Sequence, residues 1–422
     1  MTVISFAPAR RAAAENGLLV PVLLACFGAG AVPLALAGPR FVPAAAHARP
    51  EWLLGPYGNG LGLEGPWFFV CLLLAFVAYL GLVALADRIP PRVLWSVVAG
   101  AVVLFLLAPP LLSQDVFSYI AYARLGARHG LDPYVVVPAA IPHDAVLPFV
   151  GWREAVSAYG PLFTLATYPL GLLGVPAALW LLKFVAAVSV VGIAAVAAQA
   201  AGRRGADPMR AAVLIALNPI VLVDVIGGAH NDALTVLFVT AAVAMLGRNE
   251  IAAGASVVGS AALKASALVA APFALLAARG RRKLLAAELG ALALAGAVSY
   301  AAFGITPLDA AGVVGLDQSL TSRHSVPSTL ARVADLGVSP VRLALELAYV
   351  VLLVVLLVRT ARGGDWVRAA GWAAFGLLLA TSWLMPWYVL WVLPFAAVAG
   401  DGPLSVAVLA LCAFQLASRV PI

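Results

Sequence analysis

Long apolar runs separated by short basic clusters set the rhythm of this chain. An α-helix needs about 20 apolar residues to cross a hydrocarbon core. Runs near that length fall at 18–37, 67–86, 93–112, 174–200, 208–227, 232–247, 284–303, 341–360, 369–385, 387–400 and 404–419. Two shorter runs, 251–263 and 265–278, are too brief for two full crossings and predict a hairpin of short helices turning near Lys264. Counted together, the runs predict an all-α polytopic membrane protein with about 13 spans. The apolar stretch 161–173 predicts a partly inserted or interfacial helix. The alternating ten-residue segments of a membrane β-barrel are not visible, and neither is an internal repeat.

Composition sharpens this reading. Of the 422 residues, 64% are hydrophobic and only 11% charged, whereas a soluble domain carries about 25% charged residues. Such a chain cannot cover a water-facing surface. Its net charge of +7 does not point to nucleic acid, because in a membrane protein the placement of Lys and Arg matters more than their sum. Basic clusters at 10–11, 88–92, 203–210, 248, 279–283 and 359–368 fall on alternate short connectors, which places those connectors on the cytoplasmic face. Arg10 and Arg11 precede a run long enough to read as a signal anchor. Cys26, Cys71 and Cys412 all sit inside apolar runs and read as packing residues.

With that threading, the residues able to do chemistry gather on the outer face. They are Asp115, Arg153 with Glu154, then Asp224, His230, Asn231 and Asp232, followed by Lys264, Asp317, Arg323, His324, Trp383, Trp387 and Tyr388. Lys264 lies within a membrane segment, where a charge costs at least about 2.5 kcal/mol and usually faces a functional cavity. Lys183, also mid-span, is expected to snorkel or to pair internally. Arg124 and Arg128 are expected to anchor an amphipathic surface helix at the headgroups, and the tryptophans to form an interfacial belt or a site wall. GGAHND places His, Asn and Asp together, but it lacks the spacing of a metal-binding helix, so a divalent ion is possible there without being favoured.

Several motifs occur in order: QDVFSYIAYARLGARHGLDPY, YGPLF, LNPIVLVDVIGGAHNDAL, ALKASALVAAPF, RHSVPSTL and MPWYVLWVLP. Together they resemble the GT-C glycosyltransferases. Within that superfamily they look like the polyprenol-phosphate-mannose-dependent α-1,6-mannosyltransferases of actinobacterial lipomannan synthesis. The resemblance runs from about residue 93 to the end, which suggests a two-span extension over 1–92 and a catalytic module over 93–422. It implies a GT-C-type helix bundle with outer-face juxtamembrane helices in the plasma membrane. It also implies transfer of mannose from a polyprenyl-phosphate donor to a lipid-anchored glycan, with inversion and without a cofactor. Asp115 would then be the general base. Lys264, Arg323 and His324 would hold the donor phosphate. Glu154, Tyr159, His230, Asn231, Asp232, Trp387 and Tyr388 would line the sugar and acceptor pocket. Gln114 stands where many members of the superfamily carry a second acid, which weakens a two-carboxylate metal site. A lipid-linked sugar flippase, or transfer of arabinose or glucose, are the alternatives.

Overall fold

The computed structural model describes residues 7–43, 50–308 and 320–419, so Asp317 lies outside the described residues. In chain order the helices are α1 (Ala7–Ala35), α2 (Gly65–Ala84), α3 (Pro91–Leu107), α4 (Asp115–His129), α5 (Pro161–Gly171) and α6 (Val175–Arg203). Then come α7 (Pro208–Ala216), α8 (Asp232–Met245), α9 (Glu250–Leu263), α10 (Ala271–Ala277), α11 (Arg281–Phe303) and α12 (Val326–Val333). The chain finishes with α13 (Val338–Ala361), α14 (Trp366–Ala380), α15 (Leu393–Ala399) and α16 (Gly402–Ser418). Among the described residues there is no strand.

The all-helical expectation holds, and among the described residues fewer than 13 helices have by themselves the length of a full span. Five helices (α1, α2, α6, α11 and α13) have the length and apolarity to cross a bilayer, and a bent pair would make a sixth. The other apolar helices are 10–17 residues long. α6 runs through the centre, packed against α7, α8 and α15, with Ala178, Ile193, Ala194 and Ala197 buried along it. By contrast, only 6% of the apolar windows of α11 and α13 is buried, so their leucines and valines are left for lipid. This suits a bundle in which the surrounding solvent is itself apolar. α1 and α2 pack along each other and join the same core through Leu34, Tyr79 and Leu82.

Prolines explain where the expected spans fail. The run 93–112 stops being helical after Leu107, where Ala108 turns extended ahead of Pro109 and Pro110. A residue before proline is pushed out of the α region. The run 208–227 is bent by 61° between α7 and a π-helical turn, Val221–Gly227. Pro219 lacks the N–H to continue the ladder. The Leu214 carbonyl accepts the Tyr79 hydroxyl at 2.8 Å, and the Asn218 side chain accepts the Ile220 amide at 3.0 Å.

Lys183 pairs internally. Fully buried, it donates to the carbonyls of Ile226 at 3.1 Å and Gly227 at 2.8 Å, the end of the π turn. The Gly227 carbonyl also accepts the Leu111 amide at 3.2 Å. One ammonium thus ties the π turn to the segment leading into α4.

The expectation that Arg124 and Arg128 reach the headgroups is not met. From Val116 to Leu125, α4 is buried. Arg124 donates to Asp144 at 2.7 Å and to the Leu173 carbonyl at 3.0 Å, and Arg128 donates to the Gly171 and Leu172 carbonyls, both at 2.8 Å. These carbonyls are orphaned where α5 ends, and cations there also complement the helix dipole.

Burial pushes the Asp144 carboxyl up, but the hydrogen bonds from Arg124, His129 and the Val146 amide outweigh it and hold the group below its ordinary range. A carboxylate held low stabilises the fold above its unfolded value of about 3.9, and that contribution is lost as pH falls through the folded value. Arg124→Ala leaves a buried acid without its guanidinium, held only by His129 and the Val146 amide, and should cost about 3 kcal/mol at neutral pH. Thermal melting against pH should show the gap from wild type narrowing below about pH 4.

Candidate active site

Three helix breaks converge on one cavity of about 450 Å³. The first is the Pro109–Gln114 segment, which delivers Asp115 as the opening residue of α4. Leu112, a non-glycine residue at φ 61°, makes the turn, and the Asp115 amide donates to the Ser113 hydroxyl at 3.2 Å. A carboxylate in the first turn of a helix meets unpaired N–H groups that favour its charge. The second break is at Lys264, which is extended between α9 and a 3-10 segment, Ala265–Ala270. The third is the stretch after Ala380, where α14 gives way to irregular chain and then to the 3-10 segment Pro386–Trp391. It supplies Trp383, Trp387, Tyr388 and Trp391 to the cavity wall.

Asp115 lies between two aromatic groups. Its Oδ1 accepts the Trp152 indole N–H at 3.2 Å, and its Oδ2 is 3.7 Å from His230 Nδ1. The His230 ring is stacked on Trp387 with centroids 3.6 Å apart. His230 lies in the connector between the π turn and α8, just after Ala229, a second non-glycine residue with positive φ (56°). Strained backbone of this kind tends to persist where a site requires it. Burial holds the imidazole down at about 3, with Asp232 raising it and Lys264 lowering it, so His230 is neutral at physiological pH.

Lys264 lies at the other end of the aromatic wall. Its ammonium donates to both carboxylate oxygens of Asp232, at 2.9 and 3.0 Å, and sits over the rings of Tyr388 at 5.0 Å and Trp391 at 5.5 Å. Asp232 is fully buried and also accepts the Trp391 indole N–H at 2.7 Å.

Of the expected site residues, Asp115, Tyr159, Lys264, Trp387 and Tyr388 line the cavity. His230, Asn231 and Asp232 form a buried layer behind the wall instead. Asn231 accepts the Tyr119 hydroxyl at 3.4 Å, while its Nδ2 and both His230 ring nitrogens have no hydrogen-bond partner among the described residues. Buried polar atoms are rarely left this way, and here they stand beside the cavity. Glu154 is exposed and outside the lining. Arg323 is exposed and His324 half-buried, held by its carbonyl to Gln415 at 3.3 Å; neither reaches the cavity wall. They follow the residues outside the described structure, and their loop packs against α16 instead.

Sequence reasoning missed Trp152 and Trp391, and gave no role to Tyr119 and Tyr122, which follow Asp115 at helical spacing. Trp152 is two residues from Glu154, which drew attention by its charge, whereas the neutral indole holds the carboxylate. Trp391 had a legible signal, since it follows Trp387 at i+4 in PWYVLW. Among the described residues, no three or more His, Cys, Asp and Glu side chains come together as a metal site.

A family model described as "Alpha-(1->6)-mannopyranosyltransferase, N-terminal domain" matches residues 17–280, more than half of the chain. The chain belongs to this mannopyranosyltransferase family. The match begins well before residue 93, inside the part read as an extension. The chain is 31% identical over 232 residues to alpha-(1->6)-mannopyranosyltransferase A of Mycobacterium tuberculosis, covering 53% of this chain and 44% of that protein. It is 30% identical over 178 residues to alpha-(1->6)-mannopyranosyltransferase A of Corynebacterium glutamicum, covering 41% of this chain and 36% of that protein. The chain thus spans less than half the length of these curated relatives. No solved structure matches it.

Proposed function

We propose that this family member transfers mannose from a polyprenyl-phosphate donor to a lipid-anchored mannan, forming an α-1,6 linkage at the outer face of the plasma membrane. The observation that carries the reading is that Asp115 and Lys264 face a single aromatic-lined cavity. Asp115 takes the proton of the acceptor hydroxyl. That oxygen attacks the anomeric carbon from the side opposite the phosphate, so the configuration inverts. The leaving phosphate gains charge on the Lys264 side, where a fixed cation stabilises it. Lys264 is part-neutralised by Asp232, so the arriving phosphate shares an ammonium already held in place by its partners. Arg323 and His324 stand outside this cavity wall. Asp232, with its oxygens engaged by Lys264 and Trp391, favours a fixed-cation mechanism over a divalent metal.

Purified protein given labelled polyprenyl-phosphate mannose and an α-1,6-linked mannoside acceptor should yield a product one hexose longer. The corresponding arabinose and glucose donors should serve poorly. Movement of intact lipid-linked sugar across a vesicle, without glycosidic bond formation, would replace this reading with a flippase.

Orientation has its own test. Ala140 and Gly363 are both exposed on connectors assigned to opposite faces. In intact cells, an impermeant thiol reagent should label Ala140→Cys and leave Gly363→Cys unreacted. The reverse pattern would put Asp115 in the cytoplasm.

A further inference from the structure

We propose that Trp152 and Trp383 form the sugar platform of the acceptor, a subsite for the pyranose ring that carries the attacking hydroxyl. This rests on Asp115 being the base and Lys264 the phosphate partner. The contacts along the cavity wall form a chain of neighbours. Trp383 and Trp152 meet at 6.1 Å, Trp152 bonds Asp115, Asp115 adjoins His230, and His230 stacks on Trp387. Trp387 then meets Tyr388 at 5.9 Å, and Tyr388 stacks on Trp391 at 4.3 Å, with Lys264 over both of the latter rings. In that chain of contacts Asp115 comes between a tryptophan pair and the cation. Displacement at the anomeric carbon needs the nucleophile opposite the leaving group. With the phosphate at the Lys264 end, the acceptor sugar comes from the Trp152–Trp383 end.

The two indoles suit that task. Their planes cross at 71°, an edge contact that leaves ring faces open. Trp152 is 39% exposed although its N–H is bound. The π face of an indole is electron-rich, and one face of a pyranose presents C–H bonds with the opposite polarity. An interfacial belt accounts less well for the pair, because belt tryptophans hold headgroups. Here Trp383 lines the cavity and the Trp152 N–H holds the carboxylate. Trp152 thus joins sugar placement to base placement: a ring stacked on it brings its hydroxyl beside the oxygen that the same indole orients.

The full-length protein in lipid nanodiscs, with an octyl α-1,6-linked mannose disaccharide as the acceptor probe, provides the test. Trp383→Ala should raise the acceptor KM roughly tenfold, with donor KM and kcat within about twofold of wild type. Trp383→Phe, which restores a ring, should recover most of that loss. Trp152→Phe keeps a ring and loses the N–H, so kcat should fall while acceptor KM holds. Calorimetry of the disaccharide without donor separates this inference from the functional reading. If wild-type protein binds the disaccharide and Trp383→Ala does not, the platform stands even should mannosyl transfer fail. If transfer proceeds and Trp383→Ala leaves acceptor KM unchanged or raises donor KM instead, the platform is wrong and the functional reading survives. Absence of disaccharide binding to wild-type protein also overturns it.

Discussion

Asp115→Asn should fold normally, bind donor lipid, and lose activity by about 10²-fold or more in kcat. The amide keeps the shape of the carboxylate and can still meet Trp152, so the loss isolates proton acceptance. Asp115 is the acidic side chain lining the cavity among the described residues. The two acids next in line are poorly placed: Glu154 is exposed outside the wall, and Asp232 is buried under Lys264 and Trp391. Single-turnover measurement, with donor binding followed separately, checks this. Near-normal turnover would mean that the acceptor is deprotonated by solvent or by a group brought in by the substrate.

Lys264→Ala should be more damaging, because two losses coincide. The departing phosphate loses its fixed cation, which should lower kcat by about 10²–10³-fold. Asp232 is left buried and uncompensated, which should cost about 3–5 kcal/mol of stability. The effects can be separated. Lys264→Met combined with Asp232→Asn removes both charges, and an Asn oxygen can still accept the Trp391 N–H. The double variant should therefore recover most of the lost melting temperature while activity stays low. If activity returned with stability, Lys264 would be a structural partner of Asp232 and nothing more.

Much of the fold was legible, because apolar runs bounded by arginines are a strong signal in a chain with so few charges. The errors lay at the ends of those runs. Residues 108–112, 264–270 and 381–391 are apolar enough to continue a helix, yet each is irregular, extended or 3-10; the second and third border the cavity, and the first leads into Asp115. Hydropathy registers transfer into lipid and says little about backbone geometry. Prolines 109, 110 and 386 were the available warning. Asp115 and Lys264 could be singled out because an isolated charge in an apolar segment is conspicuous. Arg323 and His324 were chosen as outer-loop groups of the RHSVPSTL motif, and placement separated them from the cavity. His230, Asn231 and Asp232 were found as a group and given the wrong depth, since sequence order does not tell a wall from the layer that supports it. Of the aromatic wall, Tyr159, Trp383, Trp387 and Tyr388 were picked out, while Trp152 and Trp391 were passed over because tryptophan near a membrane surface has a common and simpler explanation.

The buried contact of Lys183 with Gly227 bears on how such a site can acquire new substrates. Both the approach to Asp115 and the turn before His230 are pinned to one ammonium in the interior, with left-handed residues at Leu112 and Ala229 on either side. Backbone drift there would move Asp115 and His230 together and away from the cavity. Divergence toward another hexose or pentose is therefore open mainly through exchange of individual rings on the cavity wall. The framework stays constant, and its aromatic furnishings are the variable that natural or laboratory selection can adjust.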